Sequence, residues 1–549
     1  MDRRTFLGVT ISGILAQFGS GCARSGVTPS LTSAPRPRGL ELEEASIADL
    51  AGRMARGDCS SRELVDAYLA RIEAVDRKGP ALKSVLEINP EAQAIATRLD
   101  EERRSKGARG PLHGIPLLVK DNIDTGDRMQ TTAGSLALLG TPALRDAHVV
   151  ARLRDAGAII LGKTNLSEWA NMRDSHSVSG WSARGGLTKN PYVLNRNTSG
   201  SSSGSASAVA ANLAAAAIGT ETDGSIVSPA QLCGLVGLKP TVGLVSRAGI
   251  IPIAHSQDTA GPMTRTVADT AILLGAIAGA DPRDPATSGA RAERDYTRFL
   301  TRDGARGARI GVLRGERWMT PALMATLDAA IAALRKLGAT VVEIEAHAPE
   351  EAARAGARAL GDIAKAVEAP ELEVLLYELK ADMAAYLATR TNQPLRTLDD
   401  LVKFNVQRAR EEMPWFRQDL FDRALQKGPL DTPAYREALV ACRKLAREEG
   451  IDRTVRENKL DAIVTLTGGV AWVTDFVHGD AITGSMSTLA AVAGYPSITV
   501  PCGAVHGLPA GVLFFGPAWS EPALLRIAYA YEQATHLRTK PTFLPSLEN

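Results

Sequence analysis

Cysteine is scarce in this 549-residue chain: there are five, Cys22, Cys59, Cys233, Cys442 and Cys502, with no C-x-x-C among them. That spacing argues against a disulfide framework or a thiolate zinc site, and the four beyond the N-terminal region read as small apolar fillers. The eight histidines include no H-E-x-x-H and no pair at metal-ligand spacing, so no metal or other cofactor is expected. No nucleophile elbow of the G-x-S-x-G kind is read in the chain. Charge of one sign is also missing. The 63 basic and 61 acidic residues nearly cancel without a long basic stripe, which argues against nucleic acid as a partner. Long hydrophobic runs are absent too: the mild apolar stretch ending at Phe18 is short and interrupted by Gly and Ser, a poor membrane span.

What is present is the composition of an ordinary globular protein, 45% apolar and 23% charged. The opening "MDRRTFLGVTISGILAQFGSGC" pairs Arg3 with Arg4 ahead of that apolar stretch and resembles a bacterial twin-arginine export signal, a frayed basic N-terminus being the alternative. Residues 1–30 are read as the signal and the start of a tether, and 31–39 as a disordered linker rich in Pro, Ser and Arg. A periplasmic or secreted protein is expected. A membrane enters only if Cys22 is lipidated, and "FGSGC" lacks the leucine that usually stands three residues before such a cysteine.

From 40 onward helices and strands alternate. "SIADLAGRM", "SSRELVDAYLARIEAV" and "PEAQAIATRLDEERR" carry apolar residues at helical spacing, with Ser60 and Ser61 as candidate N-caps. "GIPLLVK" (114–120) and "AIILGK" (158–163) read as buried strands and "RIGVLRG" (309–315) as another; "TVVEIEA" follows the helix at 322–337, and "DAIVTL" and "SITVPCG" return to strand character. Residues 322–337 form one helix face ending at Gly338, and 350–460 read as a charged, mostly helical excursion. With no linker-like break, 40–549 is expected to be one large α/β domain whose sheet is covered by helices on both faces.

"GAIILGKT" (157–164) matches the phosphate-loop pattern letter for letter, but its Ala-Ile-Ile-Leu centre belongs in a strand, so Lys163 is read as a strand-end residue. "TSGSSSGSAS" (198–207) is composed like a tether, yet it runs into "AVAANLAAAAIG" (208–219), read as a buried Ala-rich helix. Next comes "GTETDGSIVSP", where Ser225 follows Asp223-Gly224 on a tight turn. Glycine there permits backbone angles at which consecutive N–H groups converge, as an oxyanion hole requires. A small-residue loop packed in the core can bring further serine hydroxyls to such a nucleophile.

These residues carry a resemblance. "TSGSSSGSASAVAANLAAAAIGTETDGSIVSPAQLCGLVGLKPTVG" resembles the core of the amidase signature family, as do "GPLHGIPLLVKDNIDT", "GAIILGKTNLSEWA" and "DTAGPMTRTVADTAILL". Within that family "TETDGSIV", "GLVSRAGIIPIAHSQDTAGPM" and "FNVQRAREEMPWF" are most similar to bacterial peptide amidases. The resemblance implies a single domain with a central mixed β-sheet and hydrolysis of a carboxamide C–N bond with release of ammonia. The substrate it implies is the C-terminal amide of peptides. A broader amidase or aryl acylamidase, or an amidotransferase subunit of an RNA-modifying complex, remains an alternative. No obligatory protein partner is implied. The implied catalytic residues are Ser225 as nucleophile, Ser201 joined to Gly200 by a cis peptide bond, and Lys120. The implied oxyanion hole is the backbone of Thr222, Asp223, Gly224 and Ser225. Two positions depart from the family pattern: Asp223 replaces a glycine and Val227 an arginine.

A lysine acts as a base only when neutral, which asks that its pKa of about 10.4 fall by roughly 3 units, or about 4 kcal/mol. The apolar "GIPLLV" favours that fall, whereas Asp121 and Asp124 oppose it if they lie close; taken alone, Lys120 reads as a solvated strand-end lysine. Trp169, Trp181, Phe416, Trp472 and Trp519 are candidates for a pocket lining or, more simply, for the core.

Overall fold

The computed structural model describes residues 40–547, apart from 315, 317, 349 and 355; the signal, tether and Cys22 lie outside the described residues. The strands are β1 (Val85–Ile88), β2 (Pro116–Lys120), β3 (Ile159–Thr164), β4 (Trp181–Ser182), β5 (Gly186–Leu187) and β6 (Ala216–Glu221). There follow β7 (Val236–Lys239), β8 (Thr259–Thr264), β9 (Arg309–Leu313), β10 (Thr340–Ile344), β11 (Ala462–Leu466), β12 (Ser497–Val505) and β13 (Leu508–Phe515). Eleven of them form one sheet in the order β1-β3-β2-β6-β8-β7-β12-β13-β11-β9-β10, and β4 and β5 make a separate hairpin.

The sheet is mixed. β3, β2 and β6 run parallel, as do β11, β9 and β10, and the strands between them pair antiparallel. Every residue of β2, β3, β6, β8 and β13 is buried. Since alternate residues of a strand point to opposite faces, the sheet is covered on both. The edge strands β1 and β10 carry exposed or half-buried positions.

Several helices start as the sequence dictates. Ser46 caps the helix Ile47–Arg56 and Ser60, rather than Ser61, caps Ser61–Arg71, each through a capping box. Thr320 caps Pro321–Lys336, whose Leu323, Leu327, Ile331 and Leu334 are buried. One reading is overturned. Residues 208–219 are not one helix: a helix spans Ser203–Ala210, Asn212 turns the chain at φ 59°, and the strand β6 follows. Small side chains allow helix and strand to pack closely, so an alanine run carries no period that tells them apart.

The 350–460 excursion is helical and joins the main core. Its longest helix, Glu368–Thr389, buries Leu376, Leu379, Met383 and Leu387 with Trp169, Ile253, Ala254 and Phe421. It therefore backs the 247–258 loop, which borders the site described next. Cys59, Cys233, Cys442 and Cys502 are free and buried. Among the described residues, no helix is long and apolar enough to cross a membrane.

Candidate active site

Because β2 and β6 lie side by side and run parallel, their C-terminal ends meet on one edge of the sheet, the usual place for a site in such sheets. The end of β2 delivers Lys120 and the end of β6 delivers Thr220. β8 runs antiparallel to β6 with Thr259 opposite Glu221, which brings the preceding residue, Asp258, to the same edge.

Lys120 is fully buried. Its Nζ lies 2.8 Å from Ser201 Oγ, 2.8 Å from Thr220 Oγ1 and 3.2 Å from the Thr220 carbonyl. A neutral amine satisfies this set by donating two N–H groups to Thr220 and accepting the Ser201 hydroxyl proton on its lone pair. Burial lowers the Lys120 amine to about 7, against the opposing pull of Asp258 and Glu221. The opposing carboxylates are therefore not Asp121 and Asp124. Asp121 bonds Thr132 Oγ1 and Arg184, and Asp124 bonds Tyr386 and Arg390. Lys163, read as a strand-end residue, is fully buried within β3 and donates to the Ile123 carbonyl and Thr131 Oγ1.

The loop that looked like a tether is buried from Ser201 to Ser207. The Gly200–Ser201 peptide bond is cis. A Cβ on Gly200 would stand 2.1 Å from Ser167 Oγ, so any other residue there must displace that side chain. Ser202 N–H donates to the Ser225 carbonyl at 3.2 Å, fastening this loop to the turn that follows β6. "GSSSG" (200–204) does satisfy G-x-S-x-G, contrary to the sequence reading. Its central Ser202, however, is buried and spends its hydroxyl on the Thr220 backbone, and no histidine lines the chamber at Ser225 among the described residues.

In the turn, Gly224 has φ 74°. The N–H groups of Asp223, Gly224 and Ser225 donate to no acceptor among the described residues, while Ile226 and Val227 N–H donate to Glu221 Oε2. Glu221, buried, faces Lys239, whose amine burial lowers to about 8. Asp223 is half-buried and accepts from Ser487 Oγ at 2.5 Å and Thr488 Oγ1 at 2.7 Å. Burial raises its carboxyl; burial together with Asp223 holds Glu371 well above the usual carboxylate range.

Ser201, Ser225, Thr220, Thr222, Asn122 and Asp258 line one small chamber, together with apolar Ile250, Ile251 and Ile253. Asn122, Thr220 and Asp258 were not singled out in the sequence. Asn122 Nδ2 donates to Thr220 Oγ1 at 3.0 Å, and Asp258 accepts from Thr222 Oγ1 at 2.5 Å and from the Ile253 and Ala254 N–H groups. The signal available was proximity to "TETDGS" and "VKD", which says nothing about which side chains turn inward. Asp258 is held as the end of a clasp: His255 and Ser256 bond Asp382 and Glu378, and Gln257 Nε2 bridges Glu371 to the Thr222 carbonyl. Trp181, Phe416 and Trp472 are buried in clusters away from the chamber, Trp169 is buried behind its lining Ile251 and Ile253, and Trp519 is half-buried beside Arg291.

A family model described as "Amidase" matches residues 63–525. The chain belongs to the amidase family. A solved peptide amidase in complex with the competitive inhibitor chymostatin is 52% identical to this amidase, with 91% of this chain and 99% of that chain covered at a TM-score of 0.85. The native peptide amidase from Stenotrophomonas maltophilia is 51% identical at a TM-score of 0.84, covering 91% and 99%. A probable amidase of Arabidopsis thaliana is 42% identical over 92% of this chain and 93% of its own length. The amidase is a hydrolase acting on amides, and its single α/β domain is the amidase signature fold. A glutamyl-tRNA(Gln) amidotransferase component of Roseiflexus castenholzii stands further off, 37% identical over 91% of this chain and 97% of its own length.

Proposed function

We propose that this amidase hydrolyses the C-terminal carboxamide of peptides through an acyl-enzyme on Ser225, with Ser201 and Lys120 moving the proton. The observation that carries this reading is the contact between Lys120 Nζ and Ser201 Oγ at 2.8 Å, inside the chamber that Ser201 shares with Ser225.

Neutral Lys120 takes the Ser201 proton while Ser201 takes that of Ser225, whose oxygen attacks the carboxamide carbon. Charge develops on the carboxamide oxygen and is met by the otherwise unengaged N–H groups at Asp223, Gly224 and Ser225, Thr222 completing the turn. The C–N bond breaks as Ser201 returns a proton to the nitrogen, and ammonia leaves. Water then attacks the ester by the same relay, giving the acid and restoring Ser225. Every proton in this cycle is carried by the chain's own side chains.

The peptide preference rests on the likeness to peptide amidases, about half identical over nearly the whole of both chains. Ammonia release from a peptide amide, compared with that from a small aromatic amide, tests it: a broader amidase favours the second or treats the two alike. Trapping the acylated enzyme and locating the adduct by mass spectrometry tests the nucleophile, which must be Ser225. We propose further that residues 1–30 export the enzyme. Deleting them leaves it in the cytoplasm if so, and fractionation reads the outcome.

A further inference from the structure

The chamber at Ser225 and Ser201 holds about 10 Å³ of accessible space, close to what one water molecule needs. Its polar lining includes Ser201, which passes the proton in the relay above, beside Thr220, Thr222, Asn122, Arg247, Asp258 and Thr259. In the mechanism above, the group that receives its proton from Ser201 is the departing nitrogen, so this chamber lies on the leaving-group side. Ammonia, close to water in size, fits the chamber. A substituted amine does not.

Beside the chamber lies a larger cavity of about 420 Å³, within the size range of small-molecule pockets. Three residues belong to the walls of both: Arg247, Ile250 and Asp258. Two of these are fastened. Arg247 is paired with Asp284 through its backbone N–H and guanidinium, and Asp258 is held by Thr222, Ile253 and Ala254. Ile250 is apolar and 7% exposed, so no polar tie fixes its side chain.

We propose that Ile250 is the residue that restricts this amidase to primary amides, by closing the ammonia-sized leaving-group chamber off from a cavity able to take the N-substituent of a secondary amide. This rests on the serine–serine–lysine reading of the site. Trimming Ile250 joins the two spaces and opens a second activity: hydrolysis of small N-alkyl amides. The acyl C–N bond breaks as before, the amine nitrogen takes the proton from Ser201, and water completes the turnover to acid and free amine.

The test uses one peptide acyl group carrying –NH2, –NHCH3 or an N-propyl amide, with product acid quantified by chromatography. Purified wild-type enzyme is expected to cleave the first and to discriminate against the other two by roughly 100-fold in kcat/KM, the scale on which a tight pocket rejects added carbon. In Ile250→Ala, and to a smaller degree in the milder Ile250→Val, the ratio of N-propyl to primary-amide kcat/KM rises by about tenfold or more. That ratio does not depend on how much of the variant folds. The proposal is overturned if wild type cleaves the N-alkyl amides as well as the primary amide, or if the ratio is unchanged in both variants. A wild-type enzyme that cleaves none of the three, or a Ser225→Ala variant that still cleaves the primary amide, instead sinks the underlying mechanism.

Discussion

Lys120 Nζ stands 2.8 Å from Ser201 Oγ, and both side chains are fully buried. Their residues are 81 positions apart in sequence. The contact exists because β2 ends where the helix Ser203–Ala210 begins. Replacing Lys120 with Met keeps an apolar stem in the same space and removes the base of the proposed relay. Expected is a loss of about 10²–10⁴ in kcat for ammonia release, the usual worth of a positioned base. The melting temperature should hold or rise, since a buried amine no longer has to be accommodated.

Activity should climb with pH through an ascending limb near 7, because in the proposed relay Lys120, lowered to about 7 by burial, must be neutral to accept a proton. Asp258 and Glu221 stabilise its ammonium form. Asp258→Asn removes one of those charges, lowers the Lys120 pKa and moves the limb to lower pH; a pH–kcat/KM profile reads the shift. An unmoved limb assigns it to another group. The same lysine affects stability: unfolded it holds its proton to about 10.4, folded only to about 7, so its contribution improves as pH rises between the two.

Gly200→Ala should abolish measurable turnover, since the new Cβ would sit 2.1 Å from Ser167 Oγ. Ser167 Cβ is 3.3 Å from the same point, so Gly200→Ala combined with Ser167→Ala relieves the worst contact and recovers part of the activity. Steady-state rates of the two single variants and the double variant decide this. No recovery in the double variant means the loop tolerates no side chain at 200 for some other reason.

Arg173 is fully buried, 2.7 Å from Glu168, and lies over the Phe416 ring. Burial raises the Glu168 carboxyl well above its usual range, opposed by this guanidinium. Arg173→Met leaves Glu168 and nearby Glu412 without their cation and should cost about 3–5 kcal/mol, the scale for breaking a buried pair from one side. Denaturant unfolding measures it. The double variant Arg173→Met with Glu168→Gln should regain much of the loss.

Much of the architecture was legible. β2, β3, β9, β11 and β12 coincide with apolar runs bounded by turn residues, and helices such as Pro321–Lys336 announce themselves by spacing and cap. Where side chains are uniformly small, as in 208–219, periodicity carries no signal and the strand β6 was missed. Within the site, Ser201, Ser225 and Lys120 were legible because the stretches around them resemble a known family. Thr220, Asn122 and Asp258 were not, since their part depends on which way each side chain turns at the strand ends.

The sequence by itself determined most element types outside the alanine run at 208–219, the glycines at 200 and 224, and a lysine preceded by apolar residues, because those follow from local sterics and hydrophobicity. The tertiary structure decided the rest. Whether Lys120 is charged depends on how deeply it is buried and on the carboxylates of Asp258 and Glu221 arriving from elsewhere in the chain. The size of the chamber depends on where Ile250, Ile251 and Ile253 pack. Both are properties of the space between segments, set by distance and exclusion of water.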